Sequence, residues 1–153
     1  ERSPGVEDLA RLELLERVIE ESMRLLPPVW GFERQATEDD VVLGHRIRRG
    51  HIVGVSTWTL HRMPQYWENP EGFDPDRFLP EEKKKRPRFA YVPFGAGPRI
   101  CVGASFAMLE AKAILAVLLR RFRFSVVSGY RLEPEPLVTL RPRGGIAMTR
   151  RPR

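Results

Sequence analysis

The stretch YVPFGAGPRICVGASFAMLEAKAILAVLLRRF, Tyr91 to Phe122, places the only cysteine of the chain between a glycine-rich loop and an apolar helical run. No other segment limits the fold and chemistry as much. Gly95 and Gly97 can take backbone conformations closed to other residues, so the loop can turn tightly and admit a flat ligand. Beyond Cys101, the residues Phe106, Leu109, Ala113, Leu115, Leu118, Leu119 and Phe122 give the segment an apolar helical character. A thiol just before such a helix meets the positive end of the dipole and free backbone N–H groups, which favour the thiolate. Arg99 adds positive charge nearby and a planar fork suited to a carboxylate.

The chain has 153 residues, the length of one domain, and we treat residues 1–153 as a single unit. Its 42% hydrophobic and 30% charged residues suit a globular protein, and no apolar run approaches the ~18 residues of a spanning helix. No basic leader followed by an apolar core is visible, and one cysteine cannot close an internal disulfide, so a cytoplasmic protein is the expectation. The net charge of +6 would suit an acidic partner. The basic residues are dispersed rather than gathered with aromatics on one face, so no nucleic-acid partner is expected.

The amino-terminal part opens with a turn at Ser3, Pro4 and Gly5. Leu9, Leu12, Leu15, Val18, Ile19, Met23 and Leu26 then mark one amphipathic helix about five turns long, ended by Pro27 and Pro28. DDVVLG and HIVGVSTWTLH read as a pair of short strands around Gly50. Residues 63–90, rich in Pro, Asp, Asn and charge, read as a long ordered loop. Gly144-Gly145 between LVTLRP and IAMTR signals a terminal hairpin. The fold class expected is mainly α with small β-sheets.

Three readings of Cys101 present themselves besides that of a small buried hydrophobe. A catalytic nucleophile needs a base, and His45, His51 and His61 all lie in the strand region with nothing to place them beside it. A zinc site needs several ligands at suitable spacing, and none are clustered. A single axial thiolate to a metal already held by its own macrocycle, as in heme, needs one ligand.

FGAGPRICVG resembles the heme-binding signature of the cytochrome P450 family, with Phe94, Gly97, Arg99, Cys101 and Gly103 in F-x-x-G-x-R-x-C-x-G spacing. EESMR is similar to the family's helical Glu-x-x-Arg, as Glu21 and Arg24. HRMPQYWENPEGFDPDRF resembles the segment that carries the third charge of the family's network, here Arg77. The likeness runs over nearly the whole chain but covers only the carboxy-terminal third of a full enzyme. RIRRGH and Met63 depart from the usual pattern. The family's distal oxygen-activating helix would lie upstream of residue 1.

The resemblance implies heme b with Cys101 as iron ligand. It implies cofactor contacts from Arg99, Phe94, Gly95, Gly97, Ile100, Gly103 and Ala107, and a second propionate contact from Arg34. Glu21, Arg24 and Arg77 would form a structural network, and Val29 and Trp30 would line the substrate cavity. Trp58, Trp67, Phe73 and Phe78 would be structural. The implied activity is insertion of one oxygen atom from O2 into a small, apolar organic substrate. Electrons would come from NAD(P)H through a ferredoxin, a flavodoxin or a reductase. Arg88 and Lys112 are candidates for the basic surface that such a partner would meet, whereas residues 83–88 are expected to be a solvated loop. The alternative is a heme-binding fragment or scaffold without monooxygenase activity.

Overall fold

Glu13–Leu25 (α2) carries acidic residues in its first turn and Arg24 in its last, the arrangement that suits the helix dipole. Leu26 N–H still reaches the Ser22 carbonyl at 2.8 Å, and Pro27 and Pro28 then stop the helix. The computed structural model describes residues 5–153; the turn expected at Ser3 and Pro4 lies outside them. The stripe read as one helix is two. Val6–Ala10 (α1) ends in a tight turn in which Arg11 and Leu12 N–H groups bond the carbonyls of Asp8 and Leu9, and α2 starts afresh at Glu13. Three-residue hydrogen bonding at that turn shortens the first segment without disturbing the apolar spacing, so periodicity alone missed the break.

Four short strands follow: Phe32–Gln35 (β1), Asp40–Val42 (β2), His45–Ile47 (β3) and Ile52–Val55 (β4). β1 pairs antiparallel with β4 and β2 with β3, a nested ribbon closed by the two-residue turn Leu43-Gly44. The two strands expected from sequence thus each pair with a partner that was not foreseen. HIVGVSTWTLH is also a strand only as far as Val55. Ser56 caps a short helix, Thr57–Leu60 (α3), by accepting the Thr59 N–H at 3.2 Å. The Val, Ile and Thr content of the segment predicts a strand throughout, but the Ser56 cap redirects the backbone.

The region read as a loop, 63–90, contains two short helical pieces, a 3₁₀ turn at Pro75–Phe78 and Pro80–Lys85 (α4), each begun by a proline. Ala104–Arg121 (α5) continues directly into Phe122–Val126 (β5). Pro134–Pro136 (β6) and Leu140–Pro142 (β7) form a hairpin, and Met148–Pro152 (β8) pairs antiparallel with β5. Gly144 and Gly145 do turn the chain, with φ of 70° and 81°, but they join strands of two different sheets. A turn signal says where a chain reverses; β6 had already taken the edge of β7.

The best-buried part of the molecule lies between α2 and the segment 61–92. Trp67 and Phe78 are almost fully buried, and the Phe78 ring packs edge-on to Tyr91 at 4.8 Å. Arg86 lies over both Trp67 and Phe78, 4.1 and 4.8 Å from their centroids. Phe73, expected to be structural, is instead 54% exposed. Beside these rings sit Glu21, Arg24, Thr57 and His61, all without solvent exposure. Burial, reinforced by the Arg24 charge, holds the His61 imidazole down at about 4 from its ordinary 6.5.

Replacing Phe78 by Ala should cost about 3–5 kcal/mol, read as a urea midpoint in the full-length protein. Phe73→Ala should cost about 0.5 kcal/mol or less, and equal losses would contradict this packing. His61 is neutral in the fold, and the unfolded chain takes up its proton first as pH falls. Its contribution is therefore complete above 6.5 and declines as pH drops towards 4. Between pH 7 and 5 the His61→Phe variant should lose about 2 kcal/mol less stability than the parent protein.

Candidate functional site

Arg24 projects from the last turn of α2 and has all five guanidinium hydrogens engaged. Nε donates to Glu21 Oε2 at 2.7 Å, and Nη2 donates to Glu21 Oε1 at 2.8 Å and to the Gly72 carbonyl at 2.9 Å. Nη1 donates to the His61 and Pro70 carbonyls at 2.9 and 2.6 Å. Glu21 Oε1 also accepts the Asp74 N–H at 2.8 Å. Arg77 faces that carboxylate at 3.5 Å as an ion pair, without completing a hydrogen bond through Nε, and its Nη2 donates to the Asn69 carbonyl. The three charges named from sequence thus meet, and the segment 61–77 is tied to α2 mainly by backbone carbonyls.

The same segment holds the approach to the cysteine. His61 Nε2 accepts the Val92 N–H at 2.9 Å, and the Tyr91 hydroxyl donates to the Glu20 carbonyl at 2.9 Å. Gly95 N–H then bonds the Val92 carbonyl at 3.0 Å, and Cys101 N–H closes the loop onto the Phe94 carbonyl at 2.9 Å. Gly95 and Gly97 have φ of 77° and 71°, so a side chain at either would strain the turn. A short 3₁₀ turn at Gly97–Arg99 brings the chain to Cys101. The thiol is exposed, and α5 begins three residues later at Ala104, whose N–H bonds the Cys101 carbonyl at 3.3 Å.

Around the sulfur the loop is open. A Cβ added at Gly103 would lie 3.8 Å from Sγ, so that glycine leaves one side of the sulfur bare. Arg99 is exposed and has no side-chain ion pair among the described residues. Ile100 is 56% exposed, and Ala107 on the first turn of α5 is half-buried. Phe94 lines a cleft of about 460 Å³ with Glu16, Ala104, Met108 and Lys112. The chemistry of this donor set fits a metal carried by its own macrocycle. It presents one exposed thiol on a glycine-shaped loop, and no cluster of three or more metal-binding side chains occurs among the described residues.

Other expected residues lie apart from the loop. Arg34 is exposed on β1, donates to the Glu33 carbonyl and covers the Phe32 ring at 4.9 Å. Trp30 donates to the Leu137 carbonyl at 2.8 Å and borders an apolar cleft of about 490 Å³ with Ser56, Trp58, Pro134, Pro136 and Leu140. Val29 accepts the Thr57 hydroxyl through its carbonyl and leaves its side chain 42% exposed. Lys112 is not a surface cation. It is buried on α5 and donates to Glu16 Oε2 at 2.8 Å, because the α2–α5 contact places a carboxylate beside it. Arg88 is exposed and lies over the Phe89 ring. Within 83–88, Lys83 pairs with Glu20 and Arg86 is stacked inward, so this run is only partly solvated.

His61, Tyr91 and Arg86 were missed as parts of the site. A histidine between Leu60 and Arg62 has no periodicity that separates it from a surface residue, and its partner is a backbone N–H 31 residues away. The Tyr91 hydroxyl reaches a backbone carbonyl 71 residues away, so it too left no side-chain pattern.

The family model for cytochrome P450 matches residues 1–149. Cytochrome P450 4V2 of Homo sapiens is 45% identical over 147 residues, 95% of this chain and 28% of that protein. Cyclooctatin synthase of Streptomyces melanosporofaciens is 40% identical over 139 residues, 91% of this chain and 30% of that protein. The solved cytochrome P450DA heme domain matches with a TM-score of 0.94 at 33% identity, covering 99% of this chain and 33% of that one. The chain therefore spans about a third or less of the length of these relatives. Its mixture of helices and small sheets is that of the carboxy-terminal part of such a heme domain. With a matching family model over almost its whole length and the same backbone in a solved heme domain, the chain belongs to the cytochrome P450 family.

Proposed function

We propose that this chain is the proximal, heme-ligating part of a heme-thiolate monooxygenase that inserts one oxygen atom from O2 into an organic substrate. The observation that carries the reading is the exposed Cys101 thiol on a closed glycine loop, held from behind by the Glu21–Arg24 network. Heme b, held there by Cys101, would supply iron-centred redox chemistry for activating O2.

The residues of the chain divide the remaining work. Cys101 would supply the thiolate that holds the iron, and its own N–H is committed to the Phe94 carbonyl rather than left to the sulfur. Arg99 offers a free guanidinium to a propionate, whereas Arg34 would have to leave its place over Phe32 to do the same. Gly95, Gly97, Gly103 and Ala107 keep bulk away from a flat group, and Phe94 and Ile100 supply apolar contact. Val29 and Trp30, with the cleft beside Trp30, are the candidates for contact with a small apolar substrate. Electrons would arrive from NAD(P)H through a ferredoxin, flavodoxin or reductase. Arg88 is still available to such a partner, and Lys112 is withdrawn from that role by its bond to Glu16.

The full-length protein, reduced and exposed to carbon monoxide, should give a strongly red-shifted Soret band that disappears in Cys101→Ser. A band typical of histidine or neutral-thiol ligation in the parent protein would refute the thiolate assignment. If it also lacked oxygenation activity, the scaffold reading would stand. Glu21→Ala and Arg24→Ala each strand a buried charge, at a cost of about 3–5 kcal/mol, and should abolish heme incorporation. Normal heme content per protein in either variant would show that the network does not support the cysteine loop.

A further inference from the structure

Hydrogen bonds joined by short stretches of backbone link the charged network to the cysteine, and one member of that path has no assigned role. Arg24 Nη1 holds the His61 carbonyl at 2.9 Å, and the His61 ring holds the Val92 N–H at 2.9 Å. Val92 in turn holds Gly95 through its carbonyl at 3.0 Å, and Phe94 holds the Cys101 N–H at 2.9 Å. His61 is therefore bound through its backbone to α2 and through its side chain to the start of the loop.

The surroundings of the ring fix its direction. It is fully buried, 5.0 Å from the Tyr91 ring at an interplanar angle of 36°, and 6.4 Å edge-on from Trp67. Tyr91 is itself pinned through its hydroxyl to the Glu20 carbonyl. Because Nε2 accepts an N–H, the proton of the neutral ring belongs on Nδ1. Nδ1 completes no hydrogen bond with any described residue. The side chain is thus committed to one buried backbone donor that would otherwise be orphaned.

We propose that His61 is a positioning residue for the axial thiolate, its Nε2 fixing the Val92 backbone and through it the cysteine loop. This inference rests on the heme-thiolate reading above. An apolar side chain at 61 leaves the Val92 N–H unpaired at the base of the loop. The loop then opens more often, and Cys101 is more readily displaced from the iron.

The test uses the full-length holoprotein, with His61→Phe and His61→Gln compared against the parent. Phenylalanine keeps a ring against Tyr91 and Trp67 but removes the acceptor; glutamine keeps an acceptor. The readout is the rate at which the reduced carbon-monoxide complex loses its thiolate-type Soret band, at equal heme content. His61→Phe should convert about ten-fold faster, the effect of stranding one buried donor, and His61→Gln should restore most of the parent rate. Equal rates in all three proteins overturn the proposal. Equal acceleration in both variants also overturns it, since ring volume rather than the acceptor would then be what matters. If His61→Phe does not accumulate as folded protein, His61→Met replaces it in the same comparison. Absence of the thiolate band in the parent would instead sink the heme-thiolate reading itself, so the two failures are distinguishable.

Discussion

The five donors of Arg24 and the five acceptors around them organise this part of the molecule. A fully buried guanidinium carries a desolvation cost of several kcal/mol, and its pairing with a carboxylate offsets that cost only when geometry is good and every remaining hydrogen is satisfied. Here two hydrogens go to Glu21 and three to the carbonyls of His61, Pro70 and Gly72. The consequence is specificity more than raw stability. The segment 61–77, which has little regular structure, is held in its path by presenting three carbonyls to one guanidinium.

That path determines where the cysteine loop begins. His61 and Tyr91 face each other across the aromatic cluster, and their polar atoms bond backbone groups on opposite sides, Val92 on one and Glu20 on the other. The loop then closes on itself through Gly95 and Phe94, with the two positive-φ glycines taking the strain out of the turn. From the other side, the bond between Lys112 and Glu16 fastens α5 to α2, so the loop is gripped between two helices that touch. Function at Cys101, in the reading proposed here, depends on residues that never approach it.

Particular residues mark how much of this could be read in advance. The motif around Cys101 was legible because it is local, with two glycines where φ is positive, one thiol and one arginine at fixed, short spacing. Glu21 and Arg24 were legible because three residues apart on a helix places both on one face. The acceptors of Arg24 were not, since they are carbonyls 37, 46 and 48 residues away and every residue has a carbonyl. Lys112 was misread for a related reason. A lysine in an apolar helix looks like a solvent anchor until the helix that brings a carboxylate against it, 96 residues earlier in the chain, is in place. The strand and hairpin errors share a cause as well. Local signals mark turns and extended residues, while pairing is decided by which edge is free.

By itself the sequence determined the local and the chemical: proline-ended and proline-started helices, the glycine loop, the single thiol, the Glu–Arg pair and, through these, the family. Tertiary structure alone decided the partners. It chose which strands pair, buried Lys112, stacked Arg86 inward and aimed a neutral histidine at one backbone N–H. The physical reason is the range over which each constraint acts. Backbone sterics, caps and i,i+3 contacts operate within a few residues and leave a trace in residue type. Buried backbone donors and acceptors are chemically alike along the chain, so their pairing is settled only when the fold removes water from them.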